Sequence, residues 1–316
     1  MYDYAALAAL AAVVEEGSFE RAARRLHVTP SAVSQRIRAL EERVGCALVV
    51  RAQPCSATEA GRRLCQHVDR VRLLEHELAL DQPALATGAG GAATPSRVRV
   101  PIAVNADSLA SWFEPVLAAA AELPGLLLDL AVDNEDQTSG WLRRGEVLAA
   151  VSAHAGAVPG CNSRALGALR YVAAASPAFA ARHFARGVDA GSLREAPCLR
   201  FNAQDDLQQR WVRRLCRREV QLPCHRIPAP QSFVAAARAG LGWGLHPRML
   251  IERHLTDGSL VELLPDAPLD VPLYWQQARV AGPVLAPLAA AVMQAARCGL
   301  LAPHGRRPAA ASGQRG

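Results

Sequence analysis

The chain of 316 residues predicts a multidomain α+β fold, an N-terminal helix-turn-helix head on a long helix followed by a two-lobed α/β domain. Three observations predict it. Two closely joined, capped helical segments occupy residues 18–44; a small, uncharged, proline-bounded stretch fills 83–96; and strand and helix patterns then alternate for roughly 200 residues.

Within the head, Ser18 follows Gly17 and stands where an N-cap hydroxyl accepts a free helix amide, and Phe19, Ala22, Ala23 and Leu26 recur at helical spacing. His27 and Val28 form a short joint. Thr29 then supplies a second N-cap, and Pro30 takes the first helical position, where its missing N–H costs nothing. Along this second helix Val33, Ile37, Leu40 and Val44 share one face, while Ser31, Ser34, Gln35 and Arg38 fall largely on the other. Hydroxyls, an amide and guanidinium groups on the N-terminal half of such a helix reach phosphates and base edges in a major groove, so the expected partner is double-stranded DNA. The charge agrees: from Arg21 to Arg51 seven arginines face two carboxylates, Glu41 and Glu42, and the whole chain carries +6. All its basic side chains are arginine, whose planar fork grips phosphate or guanine with two hydrogen bonds.

Thr58 to about Leu80 reads as one long helix, with Leu64, Val68, Val71, Leu74 and Leu78 at spacings of three or four. A small head offers little surface to cover that stripe, so an antiparallel helix from a second subunit is expected against it. Residues 83–96 read as a hinge; their Gly-Ala-Gly-Gly run lacks the following Lys-Ser or Lys-Thr of a phosphate loop.

Beyond the hinge, Val98, Val100, Ile102 and Val104 alternate as a strand, Ser108 to Glu122 reads as a helix and Leu126 to Val132 as a buried strand. Thr138 to Arg144 reads as a helix and Val147 to Ser152 as a third strand, completing a βαβαβ run and hence a doubly wound sheet. A second lobe is expected over about 164–267, with the strand Val271 to Gln277 and the helix Pro283 to Cys298 returning to the first. Two such lobes leave a ligand cleft at their seam. The first strand ends in Asn105-Ala-Asp-Ser108, so Asp107 or Ser108 with neighbouring amides is read as an anion-binding corner suited to an α-carboxylate. Asp133, Glu135 and Asp136, with Asp205 and Asp206 of the second lobe, are acidic groups around the same cleft, placed to hold a cationic side chain. The other reading of Asp205 and Asp206 is helix N-terminal charge matching; that of Asp133 and Asp136 is a solvated turn.

Residues 3 to 80 resemble the LysR-type transcriptional regulators. Asp3 to Glu16, with Leu7, Leu10, Ala11 and Val14 on one stripe, is similar to that family's first helix; Ser18-Phe-Glu-Arg-Ala-Ala and Ser31-Ala-Val-Ser-Gln-Arg-Ile are close to its motif; Leu48-Val-Val-Arg51 leads into a wing and Thr58-Glu-Ala-Gly61 into the linker helix. The resemblance implies a winged helix-turn-helix, with Ser31, Ser34, Gln35, Arg36 and Arg38 on the recognition helix, Arg51 at the wing against the DNA backbone, dimerisation through the linker helix, and pairs of dimers forming a tetramer. It also implies a periplasmic-binding-protein-like effector domain. Asn105-Ala-Asp-Ser-Leu-Ala-Ser-Trp112, Leu142 to Ser152 and Gly167-Ala-Leu-Arg-Tyr171 are similar to the ArgP/LysG branch, which implies a lysine or arginine effector, control of a basic-amino-acid exporter gene and contact with RNA polymerase at the promoter. That branch is also described as inhibiting replication initiation, so an architectural binder of AT-rich DNA stays open, as does a LysR-type regulator of another metabolite.

The implied layout is a head at 1–58, a linker helix at 59–82, the hinge at 83–96, an effector domain at 97–300 with lobe I at about 97–163 and 268–300, and a disordered tail at 301–316. Catalysis is not expected. The eight cysteines and nine histidines show no metal spacing, Cys224-His225 would point to opposite faces of a strand, and no glycine-flanked serine elbow occurs. No cofactor is expected. No signal peptide or membrane-length apolar run is evident, so the chain is expected in the cytoplasm.

Overall fold

The computed structural model describes residues 2–82, 97–123, 125–133 and 138–302. It comprises two compact units, one of residues up to 99 together with 125–127, the other of the rest. The hinge at 83–96, Glu135 and Asp136, and the tail from 303 lie outside the described residues.

In the first unit α1 (Tyr4–Glu16) starts where the Asp3 carboxylate accepts the Ala5 amide and ends at Gly17, φ 64°. The next helix, α2 (Phe19–Arg25), is capped by Ser18, and α3 (Pro30–Val44) by Thr29, whose hydroxyl accepts the Ala32 amide at 3.2 Å. Between them His27 takes φ 54°, the left-handed turn that brings two short helices to an angle in so few residues. Leu7, Leu10, Val13, Val33, Ile37 and Leu48 are completely buried together. Each such side chain contributes about 1.5–3 kcal/mol by leaving water. A two-stranded hairpin, β1 (Val49–Val50) and β2 (Ser56–Ala57), follows as the wing.

The long helix α4 (Glu59–Asp81) is capped by Thr58, whose hydroxyl accepts the Gly61 amide and donates to the Ala47 carbonyl. It is pinned to α1 by Arg72, 2.7 Å from Glu15. Its apolar stripe divides. Val68 belongs to the head core, where Leu64 packs on it, so the head covers more of the helix than its size suggested. Leu74 and Leu78 are each 49% exposed and remain open to a partner. Gly61 is the tightest point of this joint, since a Cβ there would sit 2.0 Å from the Leu48 carbonyl oxygen. Gly61→Ala is expected to cost about 1–3 kcal/mol or more through overpacking against backbone, read as a melting temperature lowered by several degrees. An unchanged melting temperature would show that the wing shifts freely.

The second unit is built on one seven-stranded sheet. Its strands are β3 (Val98–Asn105), β4 (Leu126–Asp133), β5 (Ala149–Ser152), β6 (Cys161–Ala175), β9 (Gly244–Pro247), β10 (Val261–Glu262) and β11 (Leu269–Ala278), in the order β10-β6-β11-β5-β3-β4, with β9 also on β6. Strands β3 and β5 are parallel, as the βαβαβ reading expects. The long strands β6 and β11 pair antiparallel throughout, Leu269 opposite Tyr171 and Ala278 opposite Cys161. One end of β11 also pairs with β5, while Tyr171–Ala174 of β6 pairs with β9, so these two strands join two α/β lobes. A small parallel sheet, β7 (Cys198–Arg200) and β8 (Cys224–Arg226), lies in the second lobe.

Three expectations change. The helix expected over Ser108 to Glu122 is two, α5 (Ala106–Leu109) and α6 (Glu114–Ala121): Pro115 opens the second, and the Ser108 carbonyl takes the Phe113 amide in the turn between. The strand β4 is an edge, not buried, with Leu127 and Val132 exposed. The C-terminal helix, described below as α13 (Gly282–Gly299), has with the three residues before it the length and hydropathy of a membrane span, although no such run was expected. Its buried face, from Val284 and Leu288 to Val292 and Ala296, packs on α6, β6 and β11 as a core helix. The remaining helices are α7 (Thr138–Arg143), α8 (Pro177–His183), α9 (Ala190–Glu195), α10 (Leu207–Cys216), α11 (Pro230–Arg238) and α12 (Arg248–Thr256).

Candidate functional site

On the head, α3 buries Val33, Ile37 and Leu40 and leaves Ser31, Gln35 and Arg38 exposed, with Ser34 and Arg36 half-buried. Positions 31, 34, 35 and 38 differ by three, four and seven, so they form one outward face; Arg36 stands on its flank. Arg51, beside the wing, lies over the Phe19 ring with its guanidinium carbon 5.2 Å from the centroid. Other arginines of the basic stretch are already engaged. Arg25 pairs with Glu15 and Glu16, Arg21 donates to the Glu16 carbonyl, and Arg43 lies over Tyr2. The two α1 carboxylates beside Arg21 and Arg25 fall just outside the stretch whose charge was counted, so among the described residues Arg24 of α2 and Arg36 and Arg38 of α3 are the arginines of the helix pair without a carboxylate or ring partner.

In the second unit the start of α5, the loop before α10 with that helix's first turn, the strand β9 and the first turns of α11 and α12 enclose a pocket holding about 610 Å³ of atom-free space including its open mouth. Asp107, Asp205 and Asp206 all line it, so two parts of the chain a hundred residues apart meet as expected. Asn105 and Ser108 do not line it; both are buried beside Asp107 in the chain, and their side-chain polar atoms have no protein partner. Asp107, read with Ser108 and neighbouring amides as an anion-binding corner, brings an acid of its own to the pocket. Its Oδ2 accepts the Tyr171 hydroxyl at 2.9 Å, and burial, opposed by that bond and reinforced by Asp205, pushes its carboxyl up to about 6. A carboxylate so placed attracts a cation.

Asp205 is held by the local chain. Asn202 Oδ1 accepts the Gln204 and Asp205 amides, turning the loop so that the Asp205 carboxylate accepts the Phe201 amide at 2.8 Å and the Leu207 amide at 3.1 Å. The structural reading therefore accounts for its hydrogen bonds, and its charge still faces the pocket; burial raises its carboxyl despite those bonds. Asp206 opens α10 half-exposed, 3.7 Å from Arg210. Glu135 lies outside the described residues, as does the side chain of Asp133.

Apolar walls come from Phe201, Leu207, Phe233, Leu245 and Leu250. Among the described residues no arginine lines the pocket, and the chain contains no lysine. Two lining residues carried no local signal in the sequence. Gln208 and His246 are each 1% exposed, and Gln208 Oε1 and His246 Nε2 have no hydrogen-bond partner among the described residues. Tyr171, which the sequence offered only as the end of the Gly167-Ala-Leu-Arg-Tyr171 resemblance, is the residue whose hydroxyl orients Asp107. Among the described residues no three His, Cys, Asp or Glu side chains converge as a metal site, and Cys224 and His225 are both exposed on β8.

Residues 4–62 match the bacterial regulatory helix-turn-helix proteins of the LysR family, and residues 94–297 match the LysR substrate binding domain. The chain is 46% identical over 290 residues to the HTH-type transcriptional regulator LysG of Mycobacterium tuberculosis, covering 92% of each. It is 45% identical over 301 residues to the regulator ArgP of Pseudomonas aeruginosa, covering 95% of this chain and 98% of the relative. Among solved structures, ArgP from Mycobacterium tuberculosis superimposes with a TM-score of 0.78 at 44% identity, over 96% of this chain and all of that one. Full-length LysG from Corynebacterium glutamicum with bound effector Arg gives 0.67 at 37% identity, over 95% and 100%. With a matching head and a matching ligand-binding domain on one continuous chain, the protein belongs to the LysR family of DNA-binding transcriptional regulators.

Proposed function

We propose that this regulator senses a basic amino acid, lysine or arginine, in the pocket between its lobes and thereby controls a basic-amino-acid exporter gene. The observation that carries this is the lining itself: three carboxylates, apolar walls and, among the described residues, no arginine or lysine. Such a pocket draws in a cation with an aliphatic stem. The arginine bound to the related LysG of Corynebacterium glutamicum fits the same chemistry. The protein acts in the cytoplasm by binding, not catalysis. Ser31, Ser34, Gln35, Arg36 and Arg38 read the operator, and Arg51 holds its backbone. Leu74 and Leu78 of α4 pack against the same helix of a second subunit, and dimers pair into a tetramer that spans a dyad site and meets RNA polymerase there. The ligand acts by binding two quaternary arrangements with different affinity.

Footprinting on DNA upstream of the protein's own gene and any adjacent exporter gene tests this reading. A discrete dyad footprint is expected, whose length or bend changes with lysine or arginine. A diffuse footprint indifferent to both amino acids overturns it.

A further inference from the structure

We propose that Gln208 and His246 form a neutral acceptor pair that selects a guanidinium over an ammonium head in this pocket; the assignment rests on the pocket being the amino-acid site. Both side chains are almost wholly buried, both line the pocket, and each has one polar atom without a protein partner. Leaving a buried polar atom unpaired costs about 1–3 kcal/mol, so two such atoms in one pocket mark where a ligand's donors go.

The chemistry of the pair is specific. Gln208 opens α10 in the second lobe, and its Oε1 is an acceptor. His246 sits in β9, its ring edge-on to Phe233 with centroids 5.0 Å apart. Burial, with His254 nearby, drives its imidazole down to about 3, so the ring is neutral. With its proton on Nδ1, Nε2 accepts. Gly244, two residues earlier on the same strand face, leaves room for the Phe233 ring and for this nitrogen: a Cβ there would lie 3.3 Å from Nε2 and 2.6 Å from Phe233. Neither acceptor carries charge, and the pocket that both residues line has the flat rings of Phe201 and Phe233 among its walls. A guanidinium offers five N–H donors in one plane, spreads its charge and sheds water readily, so it satisfies two separate neutral acceptors. An ammonium is compact and strongly hydrated, and needs a charged partner to repay its desolvation.

Binding of arginine and of lysine to the full-length protein, followed calorimetrically, tests the pair. Gln208→Leu and His246→Phe each remove the unpaired atom while keeping the side chain's bulk, and His246→Gln restores an acceptor. Arginine affinity is expected to fall about tenfold to a hundredfold in the first two variants, lysine affinity to change less than threefold, and His246→Gln to recover most of the arginine binding. Melting temperatures no lower than wild type certify the fold, and any variant that melts lower is judged on the ratio of the two affinities, which a general loosening leaves unchanged. Equal weakening of both ligands, or unaltered arginine binding, overturns the pair. Wild-type protein that binds neither amino acid overturns the reading of the pocket itself.

Discussion

Asp107→Asn is expected to give a protein that folds more stably at pH 7, binds its operator as before, and no longer responds to the amino acid. The carboxyl is enclosed except where it faces the pocket, and burial holds it at about 6 against 3.8 for the free group. The unfolded chain therefore releases this proton first as pH rises, and the folded chain holds it until about 6. Between those values the folded state binds more protons, so wild-type stability falls with pH, and above about 6 the full penalty is present. That penalty is about 1–3 kcal/mol, the lower end reflecting the open side toward the pocket. Asparagine keeps an oxygen for the Tyr171 hydroxyl and carries no charge, so the penalty vanishes. A cationic ligand relieves the same penalty in the wild type by pairing with the ionised form. Its affinity should then fall as pH drops below about 6, by up to roughly tenfold per unit. Denaturant titrations at pH 4.5 and pH 7 check the stability, and calorimetry across the same range checks the affinity. A variant less stable at pH 7, or one still responding to ligand, would mean that Asp107 serves the fold through Tyr171 and not the effector.

The head was legible because its instructions are local. Ser18, Thr29 and Pro30 mark helix starts within a few residues of the apolar positions they serve, and the structure places a cap at each. The pocket was legible only in part. Asp107 followed a strand end and Asp205 preceded a helix, both expected around a cleft that topology alone suggests. Gln208 and His246 sit inside a helix turn and an apolar strand, and nothing nearby in sequence distinguishes them from satisfied core residues; that both line one pocket shows only in the folded chain, where β9 pairs with β6. Where sequence reasoning erred, tertiary packing overrode a local pattern. The α4 stripe looked uncovered until the head took Leu64 and Val68, and the second strand of the lobe looked buried although it ends the sheet.

Arg38→Ala is expected to weaken operator binding by ~1–3 kcal/mol, and the form of the loss identifies what the side chain touches. Arg38 is exposed on the outward face of α3 and, among the described residues, makes no ion pair. If it contacts a base edge, affinity for the operator falls and discrimination against one altered base pair is lost, with little change on unrelated DNA. If it holds a phosphate, affinity falls about equally on all sequences, and the slope of log affinity against log salt shrinks by about 0.9. Arg25→Ala is the informative control, since it removes an equal charge from the same domain. Arg25 is turned toward Glu15 and Glu16 of α1, so its loss should lower the melting temperature and leave the salt slope almost unchanged. The comparison separates placed charge from total charge: a head that bound DNA only through its net basicity would respond alike to both substitutions. Unchanged affinity of the Arg38 variant at low salt removes it from the interface and shifts the reading toward Ser31 and Gln35 on the same face.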